Sequence, residues 1–348
     1  MSVSATHSAH GAHAIVDLLR LSTGYAASAC LYSAARLNIA DLLAEGPRPV
    51  TELAASAGVN EEALYRVLRS LSSLGVFREE SSRHFANTPA SDAMLTGAAG
   101  SVRDTVIWLT NPMHFHVFAD FLHAVKTGGT AMQKAMGTDG FSYLGAHPQE
   151  GEEFNAAMTN LSSLFGQPVL DAYDFGALGT LADIGGGHGA LLTAILQKNP
   201  GLRGIVFDAP DVVAGARPRV EQMGLQSRCE VVGGDFFIEV PAADSYVMKS
   251  IIHDWDDARA IEILKNCAKA MTGDGKVLLI ELALAPANEP DMGKWIDMEM
   301  LAMAGGRERT EEEYAALFEQ ASLKLTRVIR TLSPYCVIEA EKIKAAIF

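Results

Sequence analysis

Five apolar runs of this chain end in residues able to do chemistry on a polar small molecule. Leu181-Ala182-Asp183-Ile184 leads into Gly185-Gly186-Gly187-His188-Gly189 and then into the apolar Ala190-Leu191-Leu192. Glycines without a Cβ let a backbone turn sharply and come close to a ligand, while a following helix offers unpaired N–H groups. Asp208 closes Gly204-Ile205-Val206-Phe207, and Asp235 follows Val231-Val232-Gly233-Gly234, each carboxylate able to accept hydroxyl hydrogen bonds. A fourth run carries Lys249-Ser250-Ile251-Ile252-His253-Asp254-Trp255. Imidazole titrates near pH 6.5, so His253 can take a proton from a hydroxyl at neutral pH. The fifth, Val277-Leu278-Leu279-Ile280, ends in Glu281, whose charge is costly to bury without a partner.

Such groups need an open α/β sheet, in which ligands lie at the carboxyl ends of the strands. The alternation predicts strands over 180–184, 203–208, 229–233, 245–250 and 276–282, with helices over 189–198, 212–223 and 257–271. Amphipathic helices over 293–303 and 310–321 precede two last strands over 323–331 and 335–341. Gly185, Gly187 and Ala190 do not match the Gly-x-Gly-x-x-Gly spacing of nicotinamide dehydrogenases. The plainer alternatives are a structural turn at the glycines, capping by Asp208 and Asp235, a solvated Lys249, and local pairing of Glu308 with Arg307 or Arg309.

Residues 183–189, Asp208, Gly233-Gly234-Asp235-Phe236, 249–254 and Gly305-Gly306-Arg307-Glu308-Arg309-Thr310 occur in one order along the chain. In that order and spacing the sequence resembles the S-adenosylmethionine-dependent O-methyltransferases of the plant caffeic-acid type and their bacterial antibiotic-tailoring relatives, over nearly its whole length. The resemblance implies a Rossmann-like methyltransferase sheet with an N-terminal, mainly helical winged-helix dimerisation domain. It makes His253 the general base, held by Glu281 and Glu308. S-adenosylmethionine would be bound by Asp183, Gly185, Asp208 at the ribose, Asp235 and Phe236 at the adenine, Lys249 and Ser162, leaving S-adenosylhomocysteine. No metal is implied. The acceptor would be a small aromatic hydroxyl compound of secondary metabolism: a phenol, a flavonoid or an aromatic polyketide. Leu161 stands where plant members often carry His, so a phenylpropanoid acceptor is not implied. Relatives of this fold that decarboxylate or hydroxylate leave a second enzyme reading open.

The resemblance divides the chain into a dimerisation domain over 1–101, a helical connector over 102–175 and a donor-binding catalytic domain over 176–348. The first contains an Ala-rich helical segment over 25–43, a break at Pro47 and Pro49, and helices over 51–57 and 61–74 around Gly58. Val76-Phe77-Arg78 and His84-Phe85-Ala86 supply the strands of a wing. A DNA-binding regulator is the competing reading, but Glu61 and Glu62 open the helix that would meet phosphates, leaving Arg66 and Arg69 to favour the duplex. The connector is rich in Met and aromatics, from which Met113, Phe154 and Met158, with Met300 and Met303, are candidates for an apolar acceptor wall.

The formal net charge of −14 over 348 residues opposes general nucleic-acid binding. No apolar run approaches the roughly 20 residues of a membrane helix, and no secretory pattern opens the chain, so a cytoplasmic protein is expected; the resemblance implies a homodimer through the N-terminal domain. Four cysteines, Cys30, Cys229, Cys267 and Cys336, are scattered and read as buried thiols in a reducing compartment. His7, His10 and His13 lie in a Ser/Ala/Gly-rich stretch without a carboxylate companion and read as non-functional.

Overall fold

Helix signals in the first hundred residues are local, and each stop is made by an identifiable residue. In the computed structural model, which describes residues 14–343, helix Gly24–Arg36 ends before Asn38, whose φ of 53° is left-handed, and a short helix Ile39–Leu42 follows. The segment expected as one helix over 25–43 is therefore two. Helix Val50–Ala57 stops at Gly58 with φ 68°, and the Asn60 side chain accepts from the Ala63 N–H at 2.9 Å to start Glu61–Ser72. Leu64, Leu68 and Leu71 bury one face of that helix.

The wing is a three-stranded antiparallel sheet in which β1 (Arg48–Pro49) and β2 (Phe77–Ser81) both pair with β3 (His84–Asn87). Pro49, read with Pro47 as a helix break, belongs to this edge: a proline lacking its N–H is tolerated on an edge strand. Glu61 and Glu62 pair with Arg83 of the wing at 3.3 and 2.9 Å, and the Arg83 guanidinium lies 4.2 Å from the centre of the Tyr65 ring. Residues 147–164 join the same unit: Asn160 accepts from the Asp104 N–H at 3.0 Å, Glu153 pairs with Arg36, and Phe154 meets the Trp108 ring edge-on at 5.3 Å.

Two compact units result, one holding 14–116 and 147–164, the other 117–146 and 165–343. Residues 102–175, expected as one connector, are shared between them. Helix Ala14–Ser22 exposes Ile15, Val16, Leu18, Leu19 and Leu21, and among the described residues no single helix is long and apolar enough to cross a membrane. His7, His10 and His13 lie outside the described residues.

In the second unit the apolar runs build a seven-stranded sheet. Its strands are β4 (Thr180–Ile184), β5 (Arg203–Asp208), β6 (Cys229–Gly233), β7 (Ser245–Lys249), β8 (Lys276–Glu281), β9 (Leu323–Arg330) and β10 (Cys336–Lys342), in the order β6-β5-β4-β7-β8-β10-β9. The first five are parallel, and β10 and β9 close the sheet antiparallel. Side chains alternate between two cores. Ala182, Ile184, Phe207, Tyr246, Met248 and Leu279 face helices Asp257–Ala270 and Glu311–Gln320, whereas Leu181, Val206, Val247, Leu278 and Ile280 face Ala190–Lys198 and Ala216–Gln222. The helix expected over 212–223 is two, Pro210–Val213 and Ala216–Gln222, and Gly215 between them lies against His188: a Cβ there would lie 2.6 Å from the imidazole. Cys229, Cys267 and Cys336 are buried, and Cys30 is half-buried.

Glu339 on β10 is 2% exposed and ties the antiparallel edge together. It accepts from the Tyr173 hydroxyl at 2.6 Å, Thr326 at 2.7 Å and Arg327 at 2.8 Å, with Lys276 at 3.0 Å. Burial alone would raise its pKa, but these donors outweigh burial and bring it down to about 2. Because the folded value lies below the unfolded one near 4.3, the stabilisation is present above that pH and is lost as pH falls towards about 2. Glu339→Gln is expected to cost about 2 kcal/mol, measured by urea unfolding at pH 7, with the difference from wild type shrinking as the pH falls below 4.

Candidate active site

The order of the sheet reverses between β4 and β7, and the polar residues singled out above gather along the carboxyl edge on either side of that point. On one side the glycine turn leaves β4 with φ 70° at Gly185, 56° at Gly187 and 73° at Gly189. Only glycine adopts these values without strain. A Cβ at Gly185 would collide with the Ile251 side chain, whereas the space around Gly187 is open. The Gly187 N–H donates to Asp208 Oδ2 at 2.8 Å, and Asp208 Oδ1 accepts from Ala209 N at 2.7 Å, so the acid at the end of β5 is set against the loop.

Asp183 is 2% exposed, and its Oδ2 has no hydrogen-bond partner. Burial, then the charge of Asp208, pushes its carboxyl up to about 7. Lys249, at the end of β7, lies 5.0 Å from the centre of the Tyr335 ring, and burial lowers its pKa. Asp235 accepts from the Phe237 N–H at 2.8 Å and is exposed. Phe236 beside it is half-buried, its ring 4.8 Å from that of Phe237 and 6.1 Å from that of Trp255. An unpartnered buried carboxylate oxygen, a loop open at Gly187 and acids at two adjacent strand ends fit a ligand with hydroxyls and an amino-acid end.

On the other side β7 runs into Ser250, a non-glycine residue with φ 54°, and then into the single 3₁₀ turn Ile252–Asp254 that carries His253. Glu281, at the end of β8, accepts from the N–H groups of Ile251 and Ile252 at 3.1 and 2.9 Å and so holds the start of that turn. Glu308 Oε1 lies 2.7 Å from His253 Nδ1, and Glu281 Oε2 lies 3.8 Å from the same nitrogen. On the other ring nitrogen, Asp254 Oδ1 is 3.5 Å from Nε2. Burial alone would lower the imidazole's pKa, but Glu281, Asp254 and Glu308 outweigh it and push it up to about 10. The Nδ1, Glu281 and Glu308 donor atoms also lie within 4.8 Å of one another, as metal ligands would. Hydrogen bonding already commits Glu281 Oε1 to two amides and Glu308 Oε1 to the imidazole.

The loop that brings Glu308 in is fastened by residues not singled out from the sequence. The Arg307 N–H donates to the His253 carbonyl at 2.8 Å, and Asp297 accepts from the Glu308 N–H at 2.8 Å. Arg309 is fully buried and binds the carbonyls of Ile252 at 3.1 Å and Trp255 at 2.8 Å, and Asp257 at 2.8 and 3.0 Å. Glu308 is therefore not paired with its neighbours: Arg307 goes to Glu313 and Arg309 to Asp257. The signal available in the sequence was the pair of glycines before Arg307, since a Cβ on Gly306 would collide with the His253 carbonyl.

The acceptor-wall candidates are placed by their own units. Phe154, Met158 and Ser162 stand one turn apart on one face of helix Pro148–Ala172, with Met113 in the same unit. Met300 and Met303 belong to the second unit, in a wide π-helical turn, Met300–Ala304, that continues helix Gly293–Glu299. Such a turn inside an α-helix shifts the following side chains round the axis.

The chain belongs to the plant-type O-methyltransferase family and is an S-adenosylmethionine-dependent O-methyltransferase: residues 118–324 match the O-methyltransferase domain and 19–97 the O-methyltransferase dimerisation domain. It is 44% identical to a phenazine O-methyltransferase of Lysobacter antibioticus, over 94% of this chain and 96% of that protein. It is 36% identical to the mitomycin biosynthesis 6-O-methyltransferase of Streptomyces lavendulae, over 85% of each. The solved structure of CalO1, a methyltransferase of calicheamicin biosynthesis with S-adenosylhomocysteine bound, superposes with a TM-score of 0.85 at 34% identity, covering 95% of this chain and 98% of that one. Both O- and N-methyltransferases occur among the relatives.

Gly306→Ala is expected to displace the His253 turn, cut turnover by about 100-fold and lower the thermal unfolding midpoint, because the clash is with backbone, with donor affinity by calorimetry little changed. Turnover within threefold of wild type would contradict a role in turnover for the close packing of this loop on His253.

Proposed function

We propose that this enzyme methylates a hydroxyl on a flat, fused aromatic acceptor, with His253 as general base. The observation that carries the reading is the imidazole held at Nδ1 by the buried Glu308, 2.7 Å away, on a turn fastened by Glu281. With Nδ1 committed, Nε2 receives the acceptor's proton. Asp208 binds the ribose hydroxyls, Asp235 and Phe236 the adenine, and Gly185, Lys249, Asp183 and Ser162 the amino-acid end of the donor. S-adenosylmethionine supplies a sulfonium-activated methyl group, so the protein's task is alignment and proton removal.

The raised basicity of His253 suits this task. A phenol loses its proton near pH 10. Transfer to an ordinary imidazole of pKa near 6.5 is uphill by about 5 kcal/mol, whereas an imidazole pushed up to about 10 accepts the proton almost evenly. The cost is that His253 is protonated at neutral pH until it is titrated.

The phenazine and mitomycin relatives favour a polycyclic acceptor over a phenylpropanoid. Met113, Phe154, Met158, Met300 and Met303 are proposed as its apolar wall, and the dimerisation domain as the contact of a homodimer. Hydroxylated phenazines are the first acceptors to test.

With a hydroxyphenazine, His253→Gln is expected to lower kcat by about 10²–10⁴-fold while donor affinity stays within threefold of wild type. Unchanged turnover would remove His253 as the base. The wild-type kcat/KM is expected to keep rising with pH beyond 7.5, because the free base must first lose a proton held up to about 10. A plateau beginning near pH 6.5 would mean that the carboxylates do not raise the imidazole.

A further inference from the structure

Behind the His253 imidazole three buried oxygens lack hydrogen-bond partners: Glu281 Oε2, Glu308 Oε2 and the Tyr314 hydroxyl. All three side chains are 0–1% exposed. Tyr314 faces inward from helix Glu311–Gln320, whose start is fixed by a capping box between Thr310 and Glu313, directly after the loop that carries Glu308. Buried polar atoms of this kind are rarely left unsatisfied, and the charges of Glu281 and Glu308 both act on the Tyr314 hydroxyl.

The donors and acceptors can be counted. Two carboxylate oxygens need donors, and the phenol has one proton to give. One water molecule satisfies all three, accepting from the Tyr314 O–H and donating one hydrogen to each carboxylate. We propose that Tyr314 is a positioning residue for the base: through one internal water it supplies the donors that keep Glu281 and Glu308 ionised behind His253. The catalytic meaning of this role rests on the methyl-transfer reading given above.

The titratable and charged groups that act on these oxygens come from several elements. Glu281 is contributed by β8, His253 and Asp254 by the turn after β7, Lys249 by the end of β7, and Glu308 and Arg309 by the loop before the helix. Tyr335 and Cys336 come from the start of β10. Burial raises the Glu281 carboxyl, which the positive His253 opposes and the charges of Glu308 and Asp254 reinforce. A donor at Oε2 favours the ionised form, so removing it raises Glu281 further and leaves it neutral to higher pH. A neutral Glu281 no longer supports the imidazolium that forms when His253 takes up a proton.

The test is Tyr314→Phe, which removes only the hydroxyl. Two readouts are followed: the pH dependence of methyl transfer, and an NMR titration of histidine-labelled protein without acceptor, with the His253 signal identified by its loss in His253→Gln. The His253 signal of the wild type senses the ionisation of Glu281 beside it. In Tyr314→Phe the Glu281 step is expected to move up by about one pH unit, and the acidic limb of kcat, set by loss of the His253 proton, to move down, with KM for the donor unchanged. A change in thermal stability with both pH features in place would overturn the proposal and leave Tyr314 a packing residue. A shifted NMR step in a protein that methylates no acceptor would uphold the role of Tyr314 and overturn only the function on which its catalytic meaning rests. Should the variant fail to fold, a high-resolution crystal structure of the wild type decides: a water within hydrogen-bond reach of all three oxygens supports the proposal, and its absence overturns it.

Discussion

The contact between His253 Nδ1 and Glu308, at 2.7 Å inside a buried cluster of carboxylates, is the interaction on which the catalytic half of the structure turns. Charges removed from water are stable only when paired, and each carboxylate here has its own source of compensation. Glu281 holds two amides of the turn, and Glu308 holds the imidazole. The pairing needs a loop that comes within backbone contact of the His253 peptide, which is why glycine stands at 306 and why Arg309, a cation with no exposed surface, is spent on carbonyl oxygens of that turn and on Asp257.

The donor side obeys a different constraint. Five parallel strands end at one edge, and the glycine turn after β4 brings the Gly187 N–H against Asp208 of the neighbouring strand. The two halves meet physically at Gly185, where the absence of a side chain makes room for Ile251 of the His253 turn. A change at the glycine loop therefore also acts on the position of the His253 turn.

Much of this was legible in the chain because parallel strands buried on both faces leave continuous apolar runs, and the residue closing each run must lie at the carboxyl edge. Asp208, Lys249 and Glu281 were placed that way, and the Gly-Gly-Arg-Glu-Arg-Thr segment carried Glu308. Long-range contacts left no local trace. The division of 102–175 between two units depends on pairings such as Asp104 with Asn160, and the edge strand at Arg48–Pro49 looked like a helix break because proline removes the donor of an ordinary strand. The packing of His188 against Gly215, between the two helices found over 212–223, is likewise a long-range contact. Arg309 resembled a surface charge and Tyr314 a core aromatic, since neither burial with a carbonyl set nor an unpartnered hydroxyl has a sequence period.

The most direct measurement is mass spectrometry of isotopically labelled methyl transfer from S-adenosylmethionine to a hydroxyphenazine at several pH values. A methyl ether carrying the label is expected, formed in equal amount with S-adenosylhomocysteine and faster as the pH rises through the alkaline range. A label found on nitrogen or carbon, or S-adenosylmethionine consumed without labelled acceptor, would contradict the assignment of His253 as the base for a hydroxyl.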